Sequence, residues 1–273
     1  MNQLEYQPGI GGEAIQLDGP SAYVGIAENL RSREWERSLG YRDMVSATRP
    51  AREVEVTLKS DYATADALRR VADADVMARK PGTFVAESEW KQRGYILESK
   101  PDNIHFGYLS TKLKVALLDG AWWRLVVRPF SIGGGSGTYL DYAYDYEYDY
   151  QKTTYSGGVE PSVLTPCDIH LVVYGPAVNP YVIVGDNRYQ VNVTVPSGGY
   201  LTVDGREKTI KLTLADSTVQ NAFSYGVRGG GAGGGTYIFE PIKAGSNEVA
   251  FDGSFSFDLG WYEEEGEPPW SLS

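Results

Sequence analysis

The side chains that could carry acid–base, nucleophilic or metal chemistry are two histidines, one cysteine and 36 carboxylates. His105 and His170 lie far apart, each in or beside a predicted strand, and with Cys167 they show no metal-ligand spacing. The sequence contains neither a G-x-S-x-G motif nor a phosphate-binding loop. Because carboxylates are so abundant, no single pair stands out as a glycosidase pair. We therefore predict no catalytic residue, no metal and no cofactor, and a protein that is not an enzyme.

One stretch has a spacing that requires two different faces. Residues 138–152 read TYLDYAYDYEYDYQK, with tyrosines at every second position: Tyr142, Tyr144, Tyr146, Tyr148 and Tyr150. In an extended strand these rings share one face and the intervening acids share the other. A ribbon alone is unstable in water, so the tyrosine face must lie on the protein's own domains or on a neighbour, and we predict that it packs between the two domains. Calcium binding at the acidic face is the lesser alternative, because that face lacks the glycine turn and bidentate Glu of a loop site.

A second unusual stretch, residues 31–49, interleaves arginines with aromatic and aliphatic side chains. The Leu39-Gly40-Tyr41 sequence could turn a long hairpin that projects from the body. Arginine mixed with aromatic residues is typical of protein interfaces. We interpret four residues as a candidate subunit interface: Arg33, Trp35, Arg37 and Tyr41. Solvated surface charge is the alternative.

The elements around these stretches are mainly strands. Residues 52–60 alternate clearly between polar and apolar side chains, as a half-buried strand does. Strands are also predicted at residues 22–30, 93–99, 105–120 and 122–127. Asp61 can cap a helix over residues 62–79, which Lys80-Pro81-Gly82 ends. Its apolar positions are Ala65, Leu68, Val71, Ala72 and Val76. These elements predict that the N-terminal half of the chain is a split-barrel-like β domain, with the one helix as its lid.

The other half reads as a β-sandwich of short strands separated by Gly, Pro and Asn turns. The predicted strands cover 168–175, 180–186, 188–196, 200–213, 235–245 and 246–264. Residues 1–140 hold 18 basic and 18 acidic side chains, whereas 141–273 hold 7 basic and 18 acidic ones. With the Gly/Ser stretch 131–137, this predicts a domain at 1–130, a linker ribbon at 131–158 and a second domain at 159–273.

Composition excludes several classes of protein. A net charge of −11, with the excess in one half, argues against specific binding of duplex nucleic acid. No apolar run approaches the ~20 residues of a membrane helix, and the first residues do not resemble a secretory signal. We therefore expect no membrane insertion and no disulfide framework.

Three segments, in order, resemble the distal tail proteins (Dit) of long-tailed, siphovirus-type bacteriophages. They are PFSIGGGSGTYLDYAYDYEYDY (129–150), VYGPAVNPYVIVG (173–185) and KAGSNEVAFDGSFSFDLGWYEEEGEPPW (243–270). The likeness extends from about residue 13 to the end and is strongest after Pro129. No catalytic motif contributes to it.

The resemblance implies a structural hub of a tail tip or baseplate. Six copies would form a ring at the end of the tail tube, around a channel through which DNA passes without specific binding. The N-terminal domain would form the ring, and the C-terminal domain would be galectin-like. The implied partners are the tail tube protein on one side and a tail-associated hub or tip protein on the other, with receptor-binding proteins as further partners. The protein would be assembled in the bacterial host cytoplasm and located in the virion.

A second function remains open at this point: a carbohydrate-binding module used in host-surface recognition. The galectin-like label does not itself confer sugar binding, since Gly266 replaces the arginine of the galectin W-x-x-E-x-R pattern at Trp261 and Glu264. A sugar site needs exposed aromatic rings beside convergent polar groups within one domain. A subunit interface instead needs its aromatic face covered by protein.

Overall fold

The computed structural model describes residues 4–24, 28–132, 155–229 and 235–268. It is mainly β and divides into two compact units, Met1–Arg124 with Glu264–Ser273, and Leu125–Glu263. The predicted ribbon at 142–150 lies outside the described residues.

The division differs from the predicted boundaries. Its first boundary falls inside the strand Trp122–Phe130 rather than at its end, and Tyr155–Val159, predicted as linker, forms a strand. The chain from Glu264 onward is assigned to the first unit, where Glu264 lies 3.6 Å from Arg49. Turn signals locate breaks along the chain, whereas units are defined by contacts between distant residues.

The first unit contains most of the longer strands. Its elements are β1 (Leu4–Gln7), β2 (Ile15–Gln16), β3 (Ala22–Tyr23), α1 (Glu28–Arg31), β4 (Glu36–Leu39), β5 (Met44–Thr48), β6 (Arg52–Ser60), α2 (Tyr62–Ala78), β7 (Gly82–Ala86), β8 (Trp90–His105), β9 (Tyr108–Leu117) and the start of β10 (Trp122–Phe130). Antiparallel pairing gives the order β2-β1-β7-β8-β9-β6-β3. The two end strands are separated in the chain only by residues 17–21, which can span about 20 Å. The sheet must therefore curl around its core.

Helix α2 confirms the prediction made from its sequence pattern. The carboxylate of Asp61 accepts a hydrogen bond from Thr64 N at 2.7 Å, and this bond lowers the pKa of Asp61. Arg79 ends the helix in a left-handed conformation, with φ of 53°. Leu68 and Ala72 are buried, but Val76, predicted to lie on the apolar face, is 41% exposed.

The residue buried beside Val76 is Asp75, whose side chain is fully enclosed. Its carboxylate accepts hydrogen bonds from Tyr6 Oη at 2.6 Å and from Ile10 N at 2.9 Å. Burial, and to a smaller extent the hydrogen bond to Asp75, raises the pKa of Tyr6. A buried carboxylate is tolerated because both partners are donors. The pair fastens β1 to the helix across 69 residues of sequence.

Two predicted strands are largely wrong, and a third is only partly right. Among the described residues of 22–30, the only strand is the short β3, and α1 contains Leu30, which is buried and whose carbonyl accepts from Trp122 Nε1 at 3.3 Å. The prediction of a strand at 105–120 is confirmed by β9 (Tyr108–Leu117), but its first residues are the end of β8 and the turn at Phe106 and Gly107. Residues 235–245 contain isolated bridges instead of a strand. In 22–30 and 235–245, apolar side chains that become buried give a strand-like sequence pattern without a continuous ladder of backbone hydrogen bonds. In 105–120 the sequence pattern continues across a turn.

The second unit has two larger sheets on one core. Its elements are the remainder of β10, β11 (Tyr155–Val159), β12 (Asp168–Tyr174), β13 (Ala177–Val178), β14 (Tyr181–Val184), β15 (Asn187–Gln190), β16 (Thr194–Val195), β17 (Tyr200–Asp204), β18 (Thr209–Thr213), β19 (Val219–Asn221), a 3₁₀ turn (Phe223–Tyr225), β20 (Asn247–Phe251) and β21 (Phe257–Glu265), which ends in the first unit. One of these sheets has the order β19-β18-β17-β12-β21-β10 and the other β11-β20-β14-β15, while β13 and β16 form a small two-stranded sheet. Buried side chains from both, such as Leu171 and Val249, form one hydrophobic cluster.

We predict that Asp75→Ala lowers the free energy of unfolding by about 2–4 kcal/mol, because it leaves the buried Tyr6 hydroxyl and the part-buried Ile10 N–H without their acceptor. Tyr6→Phe, which removes only one hydrogen bond, should cost about 1–2 kcal/mol. Urea unfolding of the purified variants measures both changes. Asp73→Ala is the matched control, because its carboxylate is on the same helix but exposed. Equal losses for Asp73 and Asp75 would contradict the assigned role.

Candidate subunit interface

The predicted hairpin is present as a two-stranded sheet of its own. Strands β4 and β5 pair from Glu36↔Thr48 to Leu39↔Met44, with a bulge after Ser38. The turn closes with a hydrogen bond from Gly40 N to the carbonyl of Asp43 at 2.8 Å. Neither of these two strands pairs with any other strand of the described chain. We call Glu36–Thr48 the arm.

Every residue of both arm strands is exposed. By strand alternation, Leu39 and Val45 lie on one face with Arg37 and Ala47, and the serines Ser38 and Ser46 lie on the other. The arm therefore has an apolar face, on which Leu39 is 67% exposed and Val45 is 72% exposed. A two-stranded hairpin with no covered face is marginal in water, so this geometry favours a partner surface.

The four residues proposed from sequence fall in two places. Arg33 and Trp35 lie at the base of the arm, where Arg49 stacks over the Trp35 ring at 4.9 Å and Arg33 Nε lies 3.9 Å from Glu267. Arg37 is on β4, and Tyr41 is in the turn, 93% exposed. The base is thus held by contacts within its own unit, whereas Arg37 and Tyr41 are presented outward.

Sequence reasoning missed a second exposed tip. Strands β8 and β9 form a long hairpin whose turn residue Phe106 is fully exposed, next to Ile104 at 73%. The tip is ordered by its neighbours: His105 stacks on Tyr108 with ring centroids 4.4 Å apart, and Tyr62 Oη donates to the carbonyl of His105 at 2.7 Å. The available signal was the Phe106-Gly107 dipeptide, because Gly107 adopts φ of 91°, which favours glycine in a tight turn.

Nothing in the described chain gathers the groups that could do chemistry. His105 is at the hairpin tip and His170 is on β12 of the other unit, where burial lowers the pKa of His170. Cys167 is buried, with Sγ 3.5 Å from the carbonyl of Thr165. Among residues 4–24, 28–132, 155–229 and 235–268, no cluster of three or more His, Cys, Asp or Glu could hold a metal. In the same residues no helix is both long and apolar enough to cross a membrane.

Comparison by sequence finds no relative, since no family model and no curated protein matches the chain. Comparison by structure finds the Dit protein of phage SPP1, described as a paradigm of the hub adsorption apparatus in phages that infect Gram-positive bacteria. It matches with a TM-score of 0.56 and 12% identity, over 97% of this chain and 99% of that one.

Two structures of the phage P2 baseplate in its activated conformation also contain a matching chain. With Ca the TM-score is 0.60, with Sr it is 0.59, and each match has 12% identity over 98% of this chain and 100% of the baseplate chain. At this identity the likeness concerns the fold. The resemblance indicated by the sequence motifs is therefore confirmed at the level of fold: the chain is folded like a phage distal tail protein along nearly its whole length.

Proposed function

We propose that this protein is a structural hub of a phage tail tip or baseplate, and that it forms a hexameric ring at the end of the tail tube. The observation that carries the proposal is the arm, a hairpin exposed on both strands, in a chain with the fold of a tail hub protein. The named structures belong to a hub adsorption apparatus and to a baseplate, so a role in assembly rather than turnover is the simplest extension.

The arm provides a route to a closed ring. An extension that docks on a different surface of the next copy makes a heterologous contact, and such contacts close into a ring when the rotation per subunit divides a full turn. Arg37, Tyr41 and the apolar face around Leu39 and Val45 would be covered in that contact. Arg33 and Trp35 would hold the base of the arm at a defined angle.

The charge distribution supports a DNA channel formed by the N-terminal half. Residues 1–140 carry equal numbers of basic and acidic side chains, and the excess of acids lies after them. A near-neutral wall neither binds a polyanion nor strongly repels it, so DNA could pass without specific contacts. The proposed neighbours are the tail tube protein on one side, a tail-associated hub or tip protein on the other, and receptor-binding proteins. The proposed location is the virion.

The proposed domain roles follow the same division. The N-terminal domain, a split-barrel-like body with helix α2 packed on it, would form the ring, and the C-terminal β-sandwich, galectin-like in its strand pattern, would face attachment proteins. The ribbon Tyr142–Tyr150, which lies outside the described residues, would pack its tyrosine face between these domains. The two-sheet core of the second unit and the curled sheet of the first support these labels.

The arm can be tested without disturbing the fold. Leu39→Glu with Val45→Glu places charge on the apolar face, and should convert rings into folded monomers. Each side chain buried in the contact contributes about 1.5–3 kcal/mol, so the double change should remove assembly at any practical concentration. Native mass spectrometry over a concentration series measures the oligomer, with six copies expected for the unchanged protein.

Ser38→Glu with Ser46→Glu is the control, because it adds the same charge to the opposite face of the same strands. It should leave the rings intact. Rings that persist in the apolar-face variant, or that disappear equally in both variants, would show that the apolar face is not the contact.

The ribbon makes a separate prediction about stability. Tyr144→Ala with Tyr146→Ala should cost about 1–3 kcal/mol per ring if the tyrosine face is packed. Changing Asp145, Glu147 and Asp149 to amides should cost little, because exposed charges contribute little. Thermal melting of the two variants compares the faces. If the acids matter and the tyrosines do not, the ribbon is an ion or partner site.

A structural role also predicts the absence of hydrolysis. The purified protein should release no reducing ends from peptidoglycan or polysaccharide above a buffer control. Activity that disappears when one carboxylate is replaced, while surface aromatic substitutions leave it unchanged, would overturn this prediction.

A further inference from the structure

The outer face of the larger sheet in the second unit is polar and aromatic. Along β12, Ile169, Leu171 and Val173 point into the core, so the alternate residues lie on the opposite face. The same alternation on the neighbouring strands adds further side chains to that face. Together they are Asp168, His170, Val172, Tyr174, Tyr200, Thr202, Asp204, Thr209, Lys211, Val219, Asn221, Asp258 and Tyr262.

The register aligns part of this face into a row. Val172 is paired with Thr202 on one side and with Asp258 on the other, and Thr202 is paired with Lys211, which faces Asn221. Five strands spaced by about 4.8 Å make the row about 19 Å long. All five side chains are at least partly exposed. The row is thus an accessible strip in which every side chain except Val172 can form hydrogen bonds.

Two tyrosines border one side of the row. Tyr174 and Tyr200 are directly paired across β12 and β17, and are 42% and 40% exposed. Tyr174 Oη donates a 2.6 Å hydrogen bond to Asp258, and this bond raises the pKa of Tyr174. The bond holds the carboxylate at the end of the row. The second carboxylate oxygen of Asp258 has no donor among the described residues.

The other side of the row is bordered by Asp204, His170 and Tyr262, which contact one another. Tyr262 Oη donates to Asp204 at 3.0 Å, and its ring is nearly perpendicular to that of His170, with centroids 5.9 Å apart. Burial lowers the pKa of His170, so its imidazole is neutral near pH 7 and can both donate and accept a hydrogen bond. Asp204 also accepts from the backbone N–H groups of Arg206 and Glu207, so the group that this side offers to a ligand is His170, held in place by its neighbours.

At the far end, beside Lys211 and Asn221, the surface is indented by a cavity of about 470 Å³ with Phe223 in its wall. Lys208, also in the wall, is paired with Asp168 at 3.1 Å. Lys211 has no carboxylate partner in the described chain. The row therefore has a carboxylate acceptor at one end and a free ammonium donor at the other.

We propose that this row and its two tyrosines form a binding site for a neutral, hydroxyl-rich oligosaccharide. Exposed aromatic rings beside a few converging polar groups are what such a ligand requires. Sugar hydroxyls can donate to Asp258 and accept from Lys211, whereas a charged polymer would meet repulsion from one or the other. The site is complete within one chain, so it does not depend on ring formation.

The test begins with an array of neutral and acidic oligosaccharides, followed by titration of the best neutral hexasaccharide by calorimetry. We expect binding to at least one neutral chain. Tyr174→Ala and Tyr200→Ala should each weaken it by about tenfold or more, as expected for aromatic anchors. Both rings are substantially exposed, so the variants should fold, and thermal melting verifies this.

Tyr23→Ala is the matched control, because it removes an exposed strand tyrosine from the first unit. It should leave the affinity unchanged, and so should the arm variant Leu39→Glu with Val45→Glu. The proposal is overturned if no neutral chain binds with Kd below about 10 mM. It is also overturned if only acidic chains bind, or if the tyrosine variants bind as well as the unchanged protein. A protein that binds sugar but forms no ring would contradict only the hub proposal.

Discussion

The whole structure depends on one constraint: a strand has two faces, and at least one of them must be removed from water. In the second unit, Leu171, Leu201 and Leu259 satisfy it from adjacent strands of one sheet, and Val182 and Val249 meet them from the other. In the first unit the curled sheet and helix α2 enclose a second cluster that includes Tyr6, Phe84 and Trp122. In both units the larger sheets have one covered face.

The two features proposed as functional are where this constraint is relaxed. The arm has no covered face, although Leu39 and Val45 make one of its faces apolar. The row on the outer face of the second unit is also at least partly exposed, but four of its five side chains are polar, and Asp258 is held by the hydrogen bond from Tyr174. An apolar uncovered face favours a protein partner, whereas a polar aromatic face favours a hydrated ligand. The same backbone geometry thus supports two kinds of surface.

The buried Asp75 is a polar exception within the covered face of the first unit. A helix packed on a sheet normally presents only apolar residues to it, yet α2 uses one carboxylate to bind Tyr6 and Ile10 N. The pair is specific because its two donors come from the first strand and the residues just after it. It thereby determines where the N-terminal strand lies against the helix, which apolar packing alone would leave less defined.

Local patterns in the sequence were sufficient for the mainly β class, helix α2 with its Asp61 cap, strand β6, the arm and the likeness to distal tail proteins. These features depend on period, capping and turn chemistry, which are properties of neighbouring residues. The burial of Asp75, the exposed tip at Phe106, and the alignment of Tyr174 with Tyr200 and Asp258 were decided only by tertiary structure. Each depends on which distant segments pair and in which register, and one residue of slip would have turned every outward side chain into the core.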